Sequence, residues 1–555
     1  MQGVIKVKIL GYGDIEVPSA SNLLDILQRT DIKSKFPIIA AHVDNKLVSL
    51  RYRLLSDATV KFIDLQHPDG QRVYERSLEF LLTYAAQHVL PDTRILVLHS
   101  YRNGIYCEAD RDEPLTEQEV KAIEDEMHRL IKMDIPIYVQ AIDVETGIKI
   151  FESMGSRDDA VRLLRYMPEH QRLYLYRINN FIDYSFIPMA PTTGVLSRFH
   201  LTHYPPGMVL VLPEKLDVSK LLPLKKQPKL FMTFAESARW ARILGVHDAG
   251  SLNRVISSGD VSEFIKISEA LHEKRIAQIA DEITKEYDRI KVVLISGPSS
   301  SGKTTFTKRL AIQLRVNERR PVLISLDDYF LNREDTPIGE DGKPDFDTVY
   351  ALDIDLFNSH LKALLDGKEV ELPKFDFKLG RRFKSGRKLR LHPGEIVMVE
   401  GIHALNPLLS QVVPQEVKYR IYVSALTQIA IDAHNRISTS DTRLIRRLVR
   451  DYLFRGHTAL DTLRMWPNVR KNEEKHIFPY QEQADTMFNS ALIYELAVLK
   501  LYAEPLLATV TPDVPEYADA VRLITLLSHF LGMMPDEVPP TSILREFIGG
   551  SSFKY

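Results

Sequence analysis

The feature that most constrains this chain is a glycine-rich loop that directly follows an apolar run. The run RIKVVLIS ends at Ser296 and is typical of a strand in a parallel sheet covered on both faces. GPSSSGKTT follows at 297–305 and fits G-x-x-x-x-G-K-[ST] at every fixed position. Because glycines let the backbone curl, successive N–H groups can point at phosphate oxygens, and the following helix presents its positive end to the same anion. The sequence therefore predicts a phosphate-binding loop.

Each polar position of this loop has an expected role in nucleotide binding. Lys303 can reach the β- and γ-phosphates, and the Thr304 hydroxyl can hold Mg²⁺. The residues expected to bind the nucleotide are Gly297, Ser299, Ser300, Ser301, Gly302, Lys303, Thr304 and Thr305. The motif predicts nucleotide binding, but it does not identify the reaction.

Composition excludes several other classes of protein. Lys plus Arg number 72 against 74 Asp plus Glu, so the chain is not a globally basic protein that coats nucleic acid. Cys107 is the single cysteine, which excludes an intramolecular disulfide and a cysteine-rich zinc site. No apolar run of about 18 residues occurs, so we expect a soluble, cytoplasmic protein without a membrane segment.

The 555 residues suggest three or four domains. Apolar strands alternate with helical segments after the loop, which indicates a three-layer α/β domain with a parallel sheet. The predicted organisation is a small β-rich unit at 1–65, an α+β domain at 66–215, a helical connector at 216–288, the α/β domain at 289–505 and a C-terminal helical tail at 506–555.

Acidic residues end two of the apolar strands of the α/β domain. PVLISL delivers Asp327 and Asp328 to its carboxyl end, where ligands bind in open α/β sheets. Either carboxylate can take a proton from an acceptor hydroxyl or hold the metal ion. EIVMVE ends in Glu400, which we expect to be the second anchor for Mg²⁺ beside Thr304.

Four arginines share one face of a predicted helix. Arg443, Arg446, Arg447 and Arg450 stand at i, i+3, i+4 and i+7. Their guanidinium groups repel each other unless an anion lies opposite, and a migrating phosphoryl group supplies that anion. The pattern favours a catalytic lid, and the alternative is a basic face that pairs with acids elsewhere or contacts RNA.

These motifs together resemble the uridine kinase and phosphoribulokinase group of P-loop kinases. GPSSSGKTT, SLDDYF, DFD at 345–347, PKFDF at 373–377, VEGI at 399–402 and DTRLIRRLVRD at 441–451 occur in that family's order. The resemblance covers about 289–505. It implies ATP- and Mg²⁺-dependent phosphorylation of a hydroxyl, with the 5′-hydroxyl of a small-molecule nucleoside as the expected acceptor.

The resemblance also assigns roles to acceptor-side residues. Asp327 matches the family's general base and Glu400 its metal-side acid. Asp347 matches the acid that grips the ribose diol. Phe346 and Phe375 match aromatic positions that line the nucleoside pocket.

The same resemblance places cations around the transferred phosphoryl group. Arg443, Arg446 and Arg447 match lid arginines that contact the acceptor and the phosphates. Lys303 and Arg446 join Asp327 as the expected catalytic residues.

The sequence departs from the family where the base is read. Pyrimidine-specific members place a histidine five residues after the aromatic equivalent to Phe375, whereas this chain has Gly380 followed by Arg381 and Arg382. Phe330 lacks a hydroxyl at another aromatic position. Base preference stays open, and a sugar phosphate or another small alcohol is the alternative acceptor.

The front half resembles a different family. Residues 1–65 look like a TGS domain, a β-grasp module, and residues 66–215 look like the second additional domain of threonyl-tRNA synthetases. The metal-binding positions of that domain fall on Arg76, Phe80, Ser185 and Met189, none of which is a good ligand. Zinc-dependent editing is not expected. RNA or nucleotide sensing through residues 1–215, homo-oligomer formation, and an RNA-responsive regulator with the P-loop half as its switch stay open.

Overall fold

The computed structural model describes residues 3–339, 342, 344–376 and 379–554, so Phe377 of the PKFDF motif lies outside the described residues. The chain begins with a five-stranded mixed sheet in the order β2-β1-β5-β3-β4, in which β1 and β5 are parallel. Alternate residues of the first strand are buried, as the period-two pattern predicts. The elements are β1 Val4–Ile9, β2 Gly13–Pro18, α1 Leu23–Gln28, β3 Ile38–Val43, β4 Lys46–Ser49 and β5 Ala58–Asp64.

An α+β unit follows this sheet. Its long first helix packs against a second helix beside two antiparallel sheets, with strand orders β11-β12-β7-β6 and β10-β9-β8. The elements are α2 Pro68–Val89, β6 Ile95–Tyr101, β7 Gly104–Ala109, α3 Glu117–Lys132, β8 Tyr138–Asp143, α4 Val144–Met154, α5 Asp158–Leu164, β9 Arg172–Ile178, β10 Phe181–Tyr184, β11 His200–Tyr204 and β12 Gly207–Val211.

Three helices lead from this unit into the central sheet: α6 Pro228–Leu244, α7 Ala249–Ser258 and α8 Val261–Lys285. The last of them packs against the helix that follows the glycine-rich loop.

The central sheet is fully parallel, with strand order β14-β17-β13-β18-β19. Every residue of its middle strand, which precedes the loop, is buried. The loop therefore emerges from the carboxyl end of the best-covered strand, where neighbouring strands also end. The elements are β13 Val292–Ser296, α9 Lys303–Val316, β14 Arg320–Ser325, α10 Ile354–Leu365, β15 Val370–Asp376, β16 Arg381–Leu389, β17 Glu395–Glu400, β18 Lys418–Ser424, α11 Thr439–Arg455, α12 Ala459–His476, β19 Thr486–Asn489 and α13 Glu495–Leu507.

The C-terminal segment contains α14 Tyr517–Ser528 and the short α15 Arg545–Ile548. It packs into the molecule, since Ile543, Leu544 and Phe547 have no exposed surface. The α15 helix contacts α11.

One hydrophobic core crosses the boundaries that the sequence predicts. A single cluster includes Phe151 of the α+β unit, Phe264 of α8, Phe306 of α9 and Phe547 of α15. Within the described ranges, no helix is long and apolar enough to cross a membrane.

Buried charges also join the front half to the central domain. Arg157 Nη2 lies 3.1 Å from Asp432 Oδ1, and Arg157 also pairs with Asp183. His434 Nδ1 lies 2.6 Å from Asp183 Oδ2. Burial alone would raise the pKa of Asp183, but Arg157 and His434 together hold it below its usual range. The loop that carries Asp432 and His434 continues into α11.

Candidate active site

The glycine-rich loop keeps its shape through two glycines. Gly302 has a φ of 77° at the start of α9, a left-handed conformation that favours glycine. A Cβ at Gly297 would lie 1.9 Å from the carbonyl oxygen of Val423, so only glycine fits against β18. The loop is thereby fixed to both the helix and the sheet.

Polar groups of the loop suit a phosphate ligand. Within the described part of the chain, the buried hydroxyls of Ser300 and Ser301 make no hydrogen bond. Lys303 Nζ donates to the carbonyl oxygen of Pro298 at 3.2 Å, folded back over the loop. Burial lowers the pKa of Lys303, while Glu400 and Asp327 oppose that shift. Unsatisfied donors and a buried amine beside a helix N-terminus fit a polyphosphate.

Thr304 and Glu400 come together as the sequence predicts for a metal site. Thr304 Oγ1 donates to Glu400 Oε1 at 3.4 Å, and Ser325 Oγ donates to the same oxygen at 3.3 Å. Burial, reinforced by Asp327, raises the pKa of Glu400. A half-buried carboxylate and hydroxyl supply hard oxygen ligands of the kind that Mg²⁺ prefers, so the residues present fit that ion.

The two aspartates after β14 have different surroundings. Asp328 Oδ1 lies 3.1 Å from Lys374 Nζ and accepts from the backbone N–H of Phe375 at 3.4 Å, which ties it to β15. Burial raises the pKa of Asp327, and Lys303 and Arg455 oppose the shift. Asp328 is therefore engaged with β15, whereas the cations that act on Asp327 include the loop lysine, and the choice between the two as proton acceptor stays a prediction.

Asp347 is half-buried and interacts electrostatically with Arg447. Burial raises its pKa to about 6, and Arg447 opposes that shift. The carbonyl oxygen of Asp347 accepts from His403 Nε2 at 3.0 Å. Arg447 Nη1 donates to Ser299 Oγ at 2.9 Å, so this arginine links the loop to the surroundings of Asp347.

The two predicted pocket aromatics differ in exposure. Phe375 is buried, with its ring centroid 5.6 Å from that of Phe330, whereas Phe346 is 39% exposed. Phe375 therefore belongs to the packed interior, whereas Phe346 keeps part of its ring exposed, and the role of both in a nucleoside pocket stays a prediction.

Arg443 and Arg446 depart from the predicted lid. Both are fully buried, and each forms an ion pair, Arg443 with Glu473 and Arg446 with Glu495. Arg443 Nε also donates to the carbonyl oxygen of Ser299 at 2.9 Å. Carboxylates of the protein therefore neutralise two of the four arginines on this helix face. Arg446 Nη1 donates to the carbonyl oxygen of Ser300 at 3.4 Å, so its guanidinium group contacts the loop backbone as well as Glu495, and its catalytic role stays a prediction.

Sequence reasoning missed three residues around the loop. Arg455 is half exposed at the end of α11, where Arg450 and burial lower its pKa to about 10. Glu473 Oε1 accepts from the backbone N–H of Ser299 at 2.9 Å. Glu546 Oε2 accepts from the Thr305 N–H at 3.0 Å and from its hydroxyl at 2.6 Å. Arg455 stands at i+12 of the same helix, counted from Arg443, and its position there could have indicated it, whereas the two glutamates have no local signal.

Arg333 occupies the space beside Gly380, where a side chain that reads the base was expected from the family resemblance. A Cβ at Gly380 would lie 2.7 Å from Arg333 Nε, and the φ of Gly380 is 66°. The two neighbouring cations have carboxylate partners: Arg382 lies 2.8 Å from Asp353. Arg381 lies 3.3 Å from Glu334 in the same way.

The front-half positions that match the metal ligands of the synthetase domain carry other interactions in this structure. Arg76 Nε donates to Ser185 Oγ at 3.1 Å, and Arg76 Nη1 donates to the carbonyl oxygen of His434 at 2.6 Å. Phe80 and Met189 are buried in the hydrophobic core. The guanidinium group of Arg76 and the loop before α11 therefore lie where the synthetase domain would have its metal site. Among the described residues, no group of three or more His, Cys, Asp or Glu side chains could hold a metal ion.

Comparison with known proteins agrees with the motifs of the central domain. Residues 292–495 match the model of the phosphoribulokinase / uridine kinase family. The resemblance and the P-loop kinase fold inferred from the sequence are confirmed for this part of the chain. The kinase domain supplies the loop, the acids after β14 and β17, and the arginine helix.

The region before the kinase domain is similar to a synthetase. Threonine–tRNA ligase of Acidithiobacillus ferrooxidans is 33% identical over 163 residues, covering 29% of this chain and 25% of that protein. The enzyme of Fusobacterium nucleatum is 29% identical over the same length, with 26% of that protein covered. The chain thus spans about a quarter of the length of these curated relatives.

The solved structures that align with this chain include two kinases. A D-glycerate 3-kinase from Cryptococcus neoformans is 14% identical, covering 39% of this chain and 92% of that chain, with a TM-score of 0.28. A possible uridine kinase from Bacillus stearothermophilus is 18% identical, covering 38% of this chain and 97% of that chain, with a TM-score of 0.26.

Proposed function

We propose that this protein is an ATP- and Mg²⁺-dependent nucleoside kinase that transfers the γ-phosphoryl group of ATP to a nucleoside 5′-hydroxyl. The observation that carries the proposal is the half-buried carboxylate of Asp327, which interacts electrostatically with Lys303 and Glu400 at the carboxyl ends of neighbouring parallel strands. A proton acceptor, a phosphate-binding amine and a metal-side acid are the parts that phosphoryl transfer to an alcohol requires.

The loop amides and Lys303 hold the phosphates of ATP. Thr304 and Glu400 would hold Mg²⁺, which when bound neutralises charge that develops on the phosphates. Asp327 accepts the proton of the 5′-hydroxyl as that oxygen bonds to the γ-phosphorus and the bond from this phosphorus to the β,γ-bridging oxygen breaks. ADP leaves with the bond electrons, and Asp327 releases its proton to solvent.

Acceptor binding is assigned to Asp347, whose carboxylate can accept hydrogen bonds from two vicinal hydroxyl groups of a ribose. A neutral nucleoside is favoured over a sugar phosphate because Arg381 and Arg382, the cations beside the acceptor gap, already pair with Glu334 and Asp353. A phosphorylated acceptor would have to displace these carboxylates.

The test is ADP release by the full chain with Mg²⁺ and ATP against a panel of nucleosides and sugar phosphates. Lys303→Ala is the blank, since it removes the amine that holds the phosphates. We expect a response to a nucleoside whose KM changes little with salt. A response to sugar phosphates alone, with a KM that rises steeply with salt, would contradict the proposed acceptor.

We also propose that residues 1–215 contact RNA. Similarity to threonine–tRNA ligases over 163 residues supports this role. Filter binding of total tRNA to the full chain tests it, with an unrelated single-stranded RNA as control. Equal, weak binding of both RNAs would argue against recognition by the front half.

A further inference from the structure

The helix that follows the glycine-rich loop already has an acid bound at its N-terminus. Glu546, from α15 near the C-terminus, accepts hydrogen bonds from the Thr305 N–H at 3.0 Å and from the Thr305 hydroxyl at 2.6 Å. In loops of this type the backbone N–H groups receive the α- and β-phosphates of the nucleotide. A carboxylate of the chain therefore sits where a nucleotide phosphate is expected.

The segment that carries Glu546 is fixed to the loop by packing. An ideal Cβ at Gly302 would lie 2.5 Å from Ile543 Cγ2, so this isoleucine lies directly on the glycine that opens α9. Phe547 lies on the other side, with its ring centroid 4.9 Å from the guanidinium carbon of Arg446.

Hydrogen bonds hold the turn before α15 in the same place. Arg545 Nη2 donates to the carbonyl oxygens of Val538 at 2.7 Å and Pro535 at 2.8 Å. The backbone at Glu546 is thus held from two sides. Its side chain, in contrast, is only half-buried and has three rotatable bonds, so the carboxylate can swing into solvent without any movement of the backbone.

We infer that Glu546 is an affinity-determining residue of the nucleotide site, whose carboxylate occupies a phosphate position and must rotate away before ATP binds. The inference rests on the proposed use of the loop for ATP. Two like charges cannot share the Thr305 N–H, so each nucleotide must replace the carboxylate. In the free protein the Thr305 N–H and hydroxyl already donate to Glu546. Breaking these hydrogen bonds costs free energy, so every ligand that carries the α- and β-phosphates binds more weakly.

The experiment measures binding of Mg–ATP and Mg–ADP to the full chain by calorimetry. Glu546→Ala removes the competitor, and Glu546→Gln keeps its shape without its charge. Asp536→Asn is the matched control, because it removes an exposed acid from the same segment, away from the loop.

We expect Glu546→Ala to lower the Kd of both nucleotides by about tenfold, Glu546→Gln to lower it less, and Asp536→Asn to leave it unchanged. The differences should shrink as salt is raised. Kd values within about twofold of the parent in both Glu546 variants would overturn the inference. Weaker Mg–ATP binding, as loss of a metal-side ligand would give, would also overturn it.

Nucleotide binding and turnover separate this inference from the proposed function. Tighter ATP binding without phosphorylation of any nucleoside would support the role of Glu546 and refute the nucleoside kinase. No binding of ATP to the parent or to either variant would refute both.

Discussion

Replacing Arg446 with methionine distinguishes a support behind the loop from a residue that touches substrate. Arg446 is fully buried and pairs with Glu495, whose side chain is also buried. Its Nη2 donates to the Ser490 carbonyl oxygen at 2.8 Å, and Nη1 lies 3.4 Å from the Ser300 carbonyl oxygen. Methionine fills much of the same volume but leaves the Glu495 carboxylate without a cation.

The expected cost follows from that orphaned charge. Glu495 keeps a hydrogen bond from the Leu492 N–H at 3.2 Å, which does not replace a guanidinium partner. Breaking a buried ion pair by removing one partner costs about 3–5 kcal/mol, whereas replacing both partners by uncharged groups is often neutral. Because the chain shares one core across its domains, Arg446→Met should lower the melting temperature by roughly 3–4 °C. Adding Glu495→Gln should recover most of that loss.

Thermal unfolding followed by far-UV circular dichroism measures the melting temperature. The value of kcat at saturating ATP measures whether the reaction is affected. We expect the double variant Arg446→Met/Glu495→Gln to recover stability and activity together. An Arg446→Met protein that melts with the parent but has lost kcat would refute the structural role and reinstate contact with the phosphates.

Three further changes test the acceptor side of the site. Asp327→Asn should lower kcat by about 10²–10⁴-fold with an unchanged Kd for ATP, because it removes the proton acceptor alone. A loss of that size in Asp328→Asn, with a normal kcat in Asp327→Asn, would reverse the assignment. The pKa of Asp347 is raised to about 6, so the KM for the nucleoside should rise as pH falls through that value and the carboxylate gains a proton; a flat KM from pH 5 to 8 would remove Asp347 from ribose binding. Gly380→His should lower the free energy of unfolding by about 1 kcal/mol and leave nucleoside preference unchanged, because φ is 66° and Arg333 occupies the space; a new pyrimidine preference in the panel assay would contradict this.

The parts of this site that could be predicted are those written in neighbouring residues. The glycine-rich loop follows a fully apolar strand, and both acids at strand ends follow apolar runs, so local pattern identifies each element. The hairpin of β15 and β16 escaped prediction because RRFKSGRKL is charged and largely exposed, with no alternation of apolar residues.

Long-range partners could not be predicted in the same way. The arginine stripe indicates an anion opposite, but Glu473 and Glu495 lie 30 and 49 residues further along the chain and only the fold brings them there. Glu546 is 241 residues from Thr305. Carboxylates of the protein and phosphates of a substrate satisfy the same arginines, so charge pattern alone cannot tell them apart.

The buried charges around Arg157 have a consequence for the order in which this protein is made. Synthesis delivers Arg157 to the growing chain 277 residues before His434. While the ribosome is still adding the intervening residues, Arg157 lacks Asp432 and Asp183 lacks His434. The polar interior of the α+β unit is incomplete until then. These buried charges of the front half therefore gain their last partners only after Asp432 and His434 have been made, although the front half is the first part to be synthesised. A ribosome that stops before Asp432 leaves an unfinished front half, not a free-standing one.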